Sequence, residues 1–326
     1  MYYLGVDSGG TKAAFVLGDE EGRIYARYRG LGCAVLGAGK EGVRKKVEEG
    51  VSAVCRAAGI GREEITCMAL GISGYGEGEG TERETLEACE EALGKGRAVC
   101  FCDTYAGWAG SFLFEPGINI ISGTGAVVYG VNGAGREARS NGWGAGCDEG
   151  SCTWHGHKLV EAFTKQADGR MERTKLYGMF RERFGIDGED AHFVLTLNRE
   201  VVKGRGLPEL QRFLKEICEA GDPAARRIYE EGARELWQGV RAVAEKLGMK
   251  PGEYGVSYSG GLFLSGPCAL EPLGRLAKAD GVRLVPPKLG PDMGALMAAI
   301  RHRNPGFDPK SFVPKEEEVS CRDDNA

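Results

Sequence analysis

A short turn near the start of the chain combines residue types that can hold phosphate. The first glycine turn, Asp7-Ser-Gly-Gly-Thr11, lies between the apolar runs Tyr2 to Val6 and Ala13 to Leu17. Glycines let a ligand approach the backbone, and exposed N–H groups with a Thr hydroxyl can bind phosphate oxygens. Asp7 at a strand end could hold Mg²⁺ through water. Taken alone, the stretch is explained equally well by an ordinary hairpin turn.

A second turn of the same design follows in the middle of the chain. The second glycine turn, Ser122-Gly-Thr-Gly125, again lies between two apolar strand-like runs. Two such turns, each opening one half of the chain, are stronger evidence than one, because a triphosphate in a cleft needs donors from both walls. We therefore expect nucleotide binding with Thr124 in contact with phosphate. The competing interpretation of Thr124 is a residue that caps a strand.

A carboxylate ends the buried strand predicted at Arg97 to Cys102. Asp103 follows this run directly. In open α/β sheets, ligands bind beyond the carboxyl ends of the parallel strands, so Asp103 is predicted to lie at the ligand-binding edge. A helix N-cap is the alternative role for this residue.

Two further glycine-rich segments are candidates for ligand contact. The loop from Asn141 to Ser151 carries Asp148 and Glu149 ahead of a helix predicted from about Cys152 to Gln166. Capping of that helix and sugar binding explain these carboxylates equally well. Gly260-Gly261 ends a predicted strand and could let a base or ribose lie against the backbone, with a plain turn as the alternative.

Composition limits the classes of function. The chain has 326 residues, a net charge of −5 and a hydrophobic fraction of 42%. This charge gives no global attraction to nucleic acid or an anionic membrane, and no apolar run approaches the ~18 residues that span a bilayer. The start of the sequence lacks the features of a signal peptide. Eleven cysteines, several inside apolar patterns, suit reduced thiols. We therefore expect a cytoplasmic protein.

The predicted elements define an α/β protein with two domains. Three meander strands, a helix from Lys40 to Ala58 and alternating strands and helices give a first mixed sheet. The second half repeats the opening and adds helical patterns, one of them around Phe193 to Val202. We predict an N-terminal domain over residues 1–115, a C-terminal domain over residues 116–303, and a charged tail over residues 304–326.

In their order and spacing these motifs resemble the BadF/BadG-type ATPase and N-acetylglucosamine kinase family of the actin-like ATPase and sugar kinase superfamily. The resemblance extends from residue 4 to about 303. It implies two ribonuclease-H-like domains, each with a mixed five-stranded sheet flanked by helices, that close over an ATP cleft. ATP would be held by the two glycine turns and by Gly260-Gly261, with Mg²⁺ bound to Asp7 through water.

The resemblance also assigns individual residues. Asp103 is implied as the general base that takes a proton from a sugar hydroxyl. Nucleotide contacts are implied for Asp7, Gly9, Gly10, Thr11, Lys12, Gly123, Thr124, Gly125, Gly260 and Gly261. Sugar contacts are implied for Cys33, Ser73, Gly142, Trp143 and Asp148. The implied activity is the ATP-dependent phosphorylation of an amino sugar, such as N-acetylglucosamine, glucosamine or N-acetylmuramate; a homodimer is left open.

The sequence departs from the family pattern where the sugar would bind. Cys33 stands near the place of an Asn that contacts sugar in the family's kinases, and Asn141-Gly142 replaces a glycine pair before Trp143. An alternative is the iron–sulfur activator branch of the family, which drives electron transfer into a dehydratase; Cys147 and Cys152 faintly resemble its cysteine motif. A non-catalytic sugar sensor is less favoured because no zinc-type Cys/His spacing is present.

Overall fold

The computed structural model describes residues 1–144, 146–194 and 206–316. These residues fold as two compact units. Unit 1 comprises Met1–Glu115 and the described residues from Pro286 onward, and unit 2 comprises Pro116–Val285.

Unit 1 is built on a mixed sheet whose strands begin with the predicted meander. The strands are β1 (Tyr2–Ser8), β2 (Lys12–Gly18), β3 (Arg23–Leu31), β4 (Ile65–Ile72) and β5 (Ala98–Cys102). Their order is β3-β2-β1-β4-β5, with β1 to β3 antiparallel and β4 and β5 parallel to β1. A two-residue strand, Lys315–Glu316, adds a sixth member beside β3. The parallel strands β1, β4 and β5 all end at one edge, which is the edge that carries Asp7 and Asp103.

The spacing of apolar residues in the sequence explains three helices of unit 1. They are α1 (Val35–Ala58), α2 (Thr81–Leu93) and α3 (Asp103–Phe112). In α1, the side chains at 43, 47, 51 and 54 are buried valines on one face, as the helical period requires. Gly39 has a left-handed backbone (φ 61°) and interrupts this helix, which explains why the sequence pattern predicts a start only at Lys40.

Unit 2 repeats the strand–turn–strand opening. Its strands are β6 (Gly117–Ser122), β7 (Ala126–Val131), β8 (Glu137–Asn141), β9 (Gly255–Ser259) and β10 (Arg283–Leu284). They are ordered β10-β9-β6-β7-β8; β6 to β8 are antiparallel, and β9 and β10 extend the sheet in parallel.

Helices pack against the second sheet and form the larger core with it. They are α4 (Cys152–Ala167), α5 (Lys175–Arg183), α6 (Gly206–Glu219), α7 (Pro223–Leu247) and α8 (Pro267–Ala279). Asp222 caps α7 by accepting from the N–H groups of Ala224 and Ala225, as its sequence predicts. The helical pattern predicted around Phe193 to Val202 lies largely outside the described residues.

The last helix, α9 (Pro291–Arg303), packs on the first sheet and not on the second. It contacts β1, β2, β4 and α3. A Cβ at Gly5 of β1 would lie 2.3 Å from the backbone nitrogen of Leu296, and one at Gly294 would lie 2.1 Å from the carbonyl oxygen of Ala106. Residues 286–303 therefore belong to unit 1, whereas the sequence assigned them to the second domain. The predicted charged tail continues past residue 316, beyond the described residues.

The predicted fold class is confirmed. Both units are α/β, and each contains a mixed sheet of five principal strands flanked by helices. Within residues 1–144, 146–194 and 206–316, no helix has the length and apolar character needed to cross a bilayer.

Candidate active site

The first glycine turn leaves open space beside its backbone. The N–H of Gly9 donates to the carbonyl oxygen of Lys12 at 3.1 Å, which closes the hairpin. A Cβ at Gly10 would meet no heavy atom within 4 Å, and one at Gly9 would meet only the Lys12 oxygen at 3.9 Å. Gly10, Thr11 and Lys12 are exposed. The turn therefore has room and N–H groups for an anionic ligand.

The loop that contains Cys33 is fastened to the same turn. Ser8 Oγ donates to the carbonyl oxygen of Cys33 at 3.1 Å and accepts from the N–H of Cys33 at 3.2 Å. The N–H of Gly32 donates to the carbonyl oxygen of Thr11 at 3.2 Å. Burial raises the pKa of the Cys33 thiol, so this side chain is a neutral group at the site.

Ser73 lies at the same edge, directly after β4. Its N–H donates to the carbonyl oxygen of Ser8, and its own carbonyl oxygen accepts from the N–H of Val35, both at 3.0 Å. Ile72 is paired with Cys102 across the ladder between β4 and β5. One edge of the first sheet thus brings together segments that are far apart in sequence, at residues 8–12, 32–35, 73 and 103.

Asp103 is the first residue of α3 and follows β5 without a loop. Burial raises the pKa of its carboxyl group above the ordinary value; the hydrogen bonds from Cys102 and Thr104 oppose this shift, and the charge of Glu77 adds to it. The Cys102 thiol lies 3.3 Å from Asp103 Oδ1. Burial and the Asp103 charge raise the pKa of Cys102 to about 12, so the thiol stays protonated and can donate this bond.

Asp7 is placed where a cation would be stabilised. Burial, followed by the charges of Asp103 and Asp292, raises the pKa of Asp7 to about 8, with Lys12 acting in the opposite direction. Asp292 is held by Arg27, whose Nη1 lies 2.8 Å from Asp292 Oδ2. Carboxylate oxygens suit Mg²⁺, which in nucleotide sites binds through one or two carboxylates plus phosphates and water. The donor set therefore fits Mg²⁺ held together with a nucleotide.

A metal cage made by the protein alone is not found in the described ranges. Residues 1–144, 146–194 and 206–316 contain no group of three or more His, Cys, Asp or Glu side chains arranged to hold a metal ion.

In unit 2, the second glycine turn is joined to the start of α4. The N–H of Cys152 donates to the carbonyl oxygen of Gly123 at 2.8 Å, and the Thr153 hydroxyl donates to the carbonyl oxygen of Thr124 at 2.7 Å. A Cβ at Gly123 would meet no heavy atom within 4 Å, and Thr124 is exposed. This turn also leaves room for a ligand beside its backbone.

The glycine pair after β9 lies against the same turn. Gly260 has a φ of 105°, and a Cβ there would lie 2.2 Å from the carbonyl oxygen of Ser122. Gly261 opens a short 3₁₀ helix, Gly261–Ser265. Only glycine allows this close approach at position 260.

Asp148 accepts hydrogen bonds from three backbone N–H groups. Its Oδ1 accepts from Trp143 at 2.8 Å, and its Oδ2 accepts from Ala126 at 3.2 Å and from Gly144 at 3.3 Å. The side chain is buried at 4% exposure, whereas Trp143 is 82% exposed. Asp148 therefore fastens the Trp143 loop to β7.

The helix that follows is capped by a different residue. Ser151 Oγ accepts from the N–H of Trp154 at 3.1 Å, so Ser151, and not Asp148, is the N-cap of α4. Of the two cysteines nearby, Cys147 is exposed, while Cys152 is buried with its Sγ 3.8 Å from Gln211 Oε1.

Sequence reasoning overlooked Asp292 and Arg27. An acidic residue after Pro291 is typical of the first turn of a helix, and Arg27 lies on a strand between the buried Ala26 and the half-buried Tyr28. Neither pattern shows that the two meet. Their pairing became visible only once α9 was placed on β1.

The two repeated units, each with a glycine turn between antiparallel strands and a crossover to parallel strands, have the fold of a ROK family glucokinase from Streptomyces griseus, with a TM-score of 0.60, 19% identity and coverage of 92% and 98%. The chain belongs to the BadF/BadG/BcrA/BcrD ATPase family, whose sequence profile matches residues 4–299.

Characterised relatives are sugar kinases. The chain is 29% identical over 264 residues to the N-acetylmuramic acid/N-acetylglucosamine kinase of Clostridium acetobutylicum, covering 80% of this chain and 85% of that one. It is 25% identical to the N-acetyl-D-glucosamine kinase of Dictyostelium discoideum, covering 79% and 84%. The crystal structure of a protein assigned as an N-acetylglucosamine kinase from Chromobacterium violaceum has the same fold, with a TM-score of 0.73, 24% identity and coverage of 91% and 98%.

Proposed function

We propose that this protein is an ATP-dependent kinase that phosphorylates a hydroxyl group of an amino sugar, N-acetylglucosamine or a relative such as glucosamine or N-acetylmuramate. Membership of the ATPase family and the activities of the kinase relatives support the reaction class. The observation that carries the proposal is the carboxylate of Asp103 at the edge of the first sheet, beside Ser73 and the loop of Cys33.

Asp103 is the proposed general base. Its raised pKa suits a group that accepts a proton from an alcohol near neutral pH. The acceptor oxygen forms a bond to the γ-phosphorus of ATP, the bond from that phosphorus to the β,γ-bridging oxygen breaks, and ADP leaves. The hydroxyl proton passes to Asp103. Cys102 holds the carboxylate through its hydrogen bond to Oδ1 and so limits its rotation.

The two glycine turns are the proposed phosphate-binding segments. Phosphate oxygens would lie against the open backbone at Gly9, Gly10, Gly123 and Gly125 and would bind Thr11, Lys12 and Thr124. The N–H groups of Gly9 and Gly123 already donate to the carbonyl oxygens of Lys12 and Gly125, so they shape the turns and are not proposed as phosphate donors. Gly260 and Gly261 would accept the nucleoside against their backbone. Asp7 would hold Mg²⁺ through water, with Asp292 and Arg27 behind it; when bound, the ion neutralises charge on the phosphates.

The sugar contacts remain proposals for Cys33 and Ser73 of unit 1 and for Gly142 and Trp143 of unit 2. Asp148 is proposed to act on the sugar through the loop that it fastens, because its carboxylate already accepts three N–H groups.

The cysteines support a cytoplasmic location. The ten cysteines within the described part of the chain are all free thiols, including close neighbours such as Cys89 and Cys100, whose sulfur atoms lie 3.7 Å apart. Free thiols are typical of reducing compartments, where ATP is also available.

The test is sugar-dependent release of ADP from Mg-ATP across a panel of hexoses, amino sugars and N-acetyl sugars. We expect stimulation by at least one amino sugar, and we expect Asp103→Asn to lower kcat by about 10²- to 10⁴-fold while ATP binding, measured by calorimetry, is retained. Near-normal turnover in Asp103→Asn would exclude the base assignment. No stimulation of a folded, ATP-binding sample by any sugar would exclude the kinase proposal.

A further inference from the structure

Four buried polar side chains meet in the core of unit 2, outside both of its glycine segments. They are Cys152 of α4, Gln211 of α6, Tyr229 of α7 and Ser265 at the end of the 3₁₀ helix, and each is at most 5% exposed. Burying a polar group costs free energy unless the group is hydrogen-bonded, so polar side chains are kept among apolar helices only where their bonds are made.

The side-chain amide of Gln211 joins the other three side chains. Its Nε2 donates to the hydroxyl oxygen of Tyr229 at 3.0 Å and to the hydroxyl oxygen of Ser265. Its Oε1 accepts from the Cys152 thiol, with the sulfur 3.8 Å away. The Tyr229 hydroxyl in turn donates to the Ser265 hydroxyl oxygen at 3.0 Å. Both the nitrogen and the oxygen of the amide are therefore engaged inside the core.

Through Ser265 this cluster reaches the glycine pair that follows β9. Ser265 is the last residue of the short 3₁₀ helix that Gly261 opens, and the N–H of Phe263 donates to the carbonyl oxygen of Gly260 at 3.4 Å. A Cβ at Gly261 would lie 3.9 Å from Cys152 Sγ. Since a 3₁₀ helix has three residues per turn, a bond at the end of this helix also restrains its first residue.

Through Cys152 the cluster reaches the second glycine turn. Cys152 is the first residue of α4, and its N–H donates to the carbonyl oxygen of Gly123 at 2.8 Å. The next residue, Thr153, donates from its hydroxyl to the carbonyl oxygen of Thr124 at 2.7 Å. The amide of Gln211 thus connects the two segments of unit 2 that are proposed to bind nucleotide, although Gln211 belongs to neither.

We propose that Gln211 is a positioning residue of the nucleotide site. It holds the 3₁₀ helix behind Gly260-Gly261 and the start of α4 behind the second glycine turn in one arrangement, so that both segments are in place before ATP binds. Preorganisation of this kind raises affinity, because binding then does not have to order the site. The inference rests on the proposed nucleotide-binding role of these segments, and Gln211 takes no part in phosphoryl transfer.

The test replaces Gln211 by Met, which has a similar length but no amide. Gln166→Met is the matched control, because Gln166 is a second fully buried glutamine of unit 2. Its amide bonds to Thr174, accepting from the N–H at 3.0 Å and donating to the hydroxyl oxygen at 3.1 Å. Ser265→Ala removes a single partner of Gln211 and is the milder variant, which decides the question if Gln211→Met does not fold.

Three quantities are measured for each variant. Calorimetry gives the Kd of Mg-ATP in the absence of sugar, sugar-dependent ADP release gives kcat and both KM values, and urea unfolding gives the stability. We expect the two glutamine variants to lose similar amounts of stability, since each loses the bonds of a buried amide.

The affinity for nucleotide should separate the variants. In Gln211→Met, the Kd and KM for Mg-ATP should rise about 5- to 20-fold, while kcat at saturating ATP and the KM for sugar stay within about 2-fold of the wild type. Ser265→Ala should raise the same Kd by about 2- to 5-fold, and Gln166→Met should leave it within about 2-fold. Because Gln211 and Ser265 share one bond, the double variant should bind Mg-ATP as Gln211→Met does, within about 2-fold.

Two results would overturn the inference. The first is an equal change in the Kd of Mg-ATP in folded Gln211→Met and Gln166→Met, or no change in Gln211→Met and Ser265→Ala. The second is an equal rise in the KM for ATP and for sugar in Gln211→Met. A wild type that binds Mg-ATP but phosphorylates no sugar would reject the kinase function alone, since the Kd values still test Gln211. A wild type that does not bind Mg-ATP would reject both.

Discussion

Replacement of Asp148 by alanine separates support of the Trp143 loop from direct contact with sugar. The substitution removes the acceptor for three backbone N–H groups, those of Ala126, Trp143 and Gly144. Ala126 is buried, so its N–H is left without an acceptor, whereas Trp143 and Gly144 are exposed and can bond to water. A buried N–H without a partner costs about 1–3 kcal/mol, and lost bonds to a charged acceptor add to this.

We therefore expect Asp148→Ala to lower the free energy of unfolding by about 2–4 kcal/mol. In a unit of this size that loss corresponds to a fall in Tm of roughly 5–12 °C. Without its anchor, the Trp143 loop should also become more mobile, so that KM for sugar rises and kcat falls.

The assay combines urea unfolding, thermal melting and sugar-dependent ADP release. Glu149→Ala is the control, because it removes the exposed neighbouring carboxylate and should leave Tm within about 1 °C of the wild type. An Asp148→Ala variant with unchanged stability and a KM for sugar raised more than tenfold would refute the reasoning. That result would make Asp148 a sugar ligand and not the anchor of the loop.

Two further outcomes follow from the structure. His155 is buried, and this burial lowers its pKa to about 4. In the unfolded chain the imidazole takes up its proton near pH 6.5. The free energy of unfolding should therefore fall by about 3 kcal/mol as the pH falls from about 6.5 to 4. In His155→Gln, the difference in unfolding free energy between pH 7.5 and pH 4.5 should shrink, while His157→Gln on the exposed side of the same helix should not change it; an unaltered difference in His155→Gln would contradict the assignment. Gly5→Ala places a methyl group 2.3 Å from the backbone nitrogen of Leu296 and should cost about 2–4 kcal/mol in urea unfolding. Gly37→Ala is the control, because a Cβ at Gly37 would meet no heavy atom within 4 Å and should leave the free energy of unfolding unchanged. Equal stability of Gly5→Ala and Gly37→Ala would show that α9 does not pack closely on β1.

The fold was largely predictable because its signals are local. The apolar runs of β1 and β2, the valine spacing in α1 and the Asp222-Pro223 start of α7 each identify one element without knowledge of the others. The position of α9 was not predictable. Its small and apolar residues are buried all round, so the pattern shows that it is enclosed but not which sheet encloses it.

The parts of the candidate site that lie in short contiguous motifs could be predicted from the sequence. The sequence alone identifies the two glycine turns and the strand that ends at Asp103. It does not reveal the hydrogen bond between Ser8 and Cys33, because these residues are far apart in sequence. Spacing alone could not decide between helix capping and sugar binding for Asp148, because a carboxylate four residues before the first residue of a helix is compatible with capping, ligand contact or loop support. Its three N–H donors come from two separate segments.

The return of the chain to unit 1 has a consequence for biosynthesis. Unit 2 is one continuous stretch, Pro116–Val285, whereas unit 1 combines segments from both sides of that stretch. On the ribosome, β1 to β5 emerge first, yet the groove over Gly5 stays open until α9 has been translated. Unit 2 is thus the part able to fold during synthesis, and a nascent chain that stops before residue 291 would expose the apolar surface beneath α9, making it a target for chaperones and proteases.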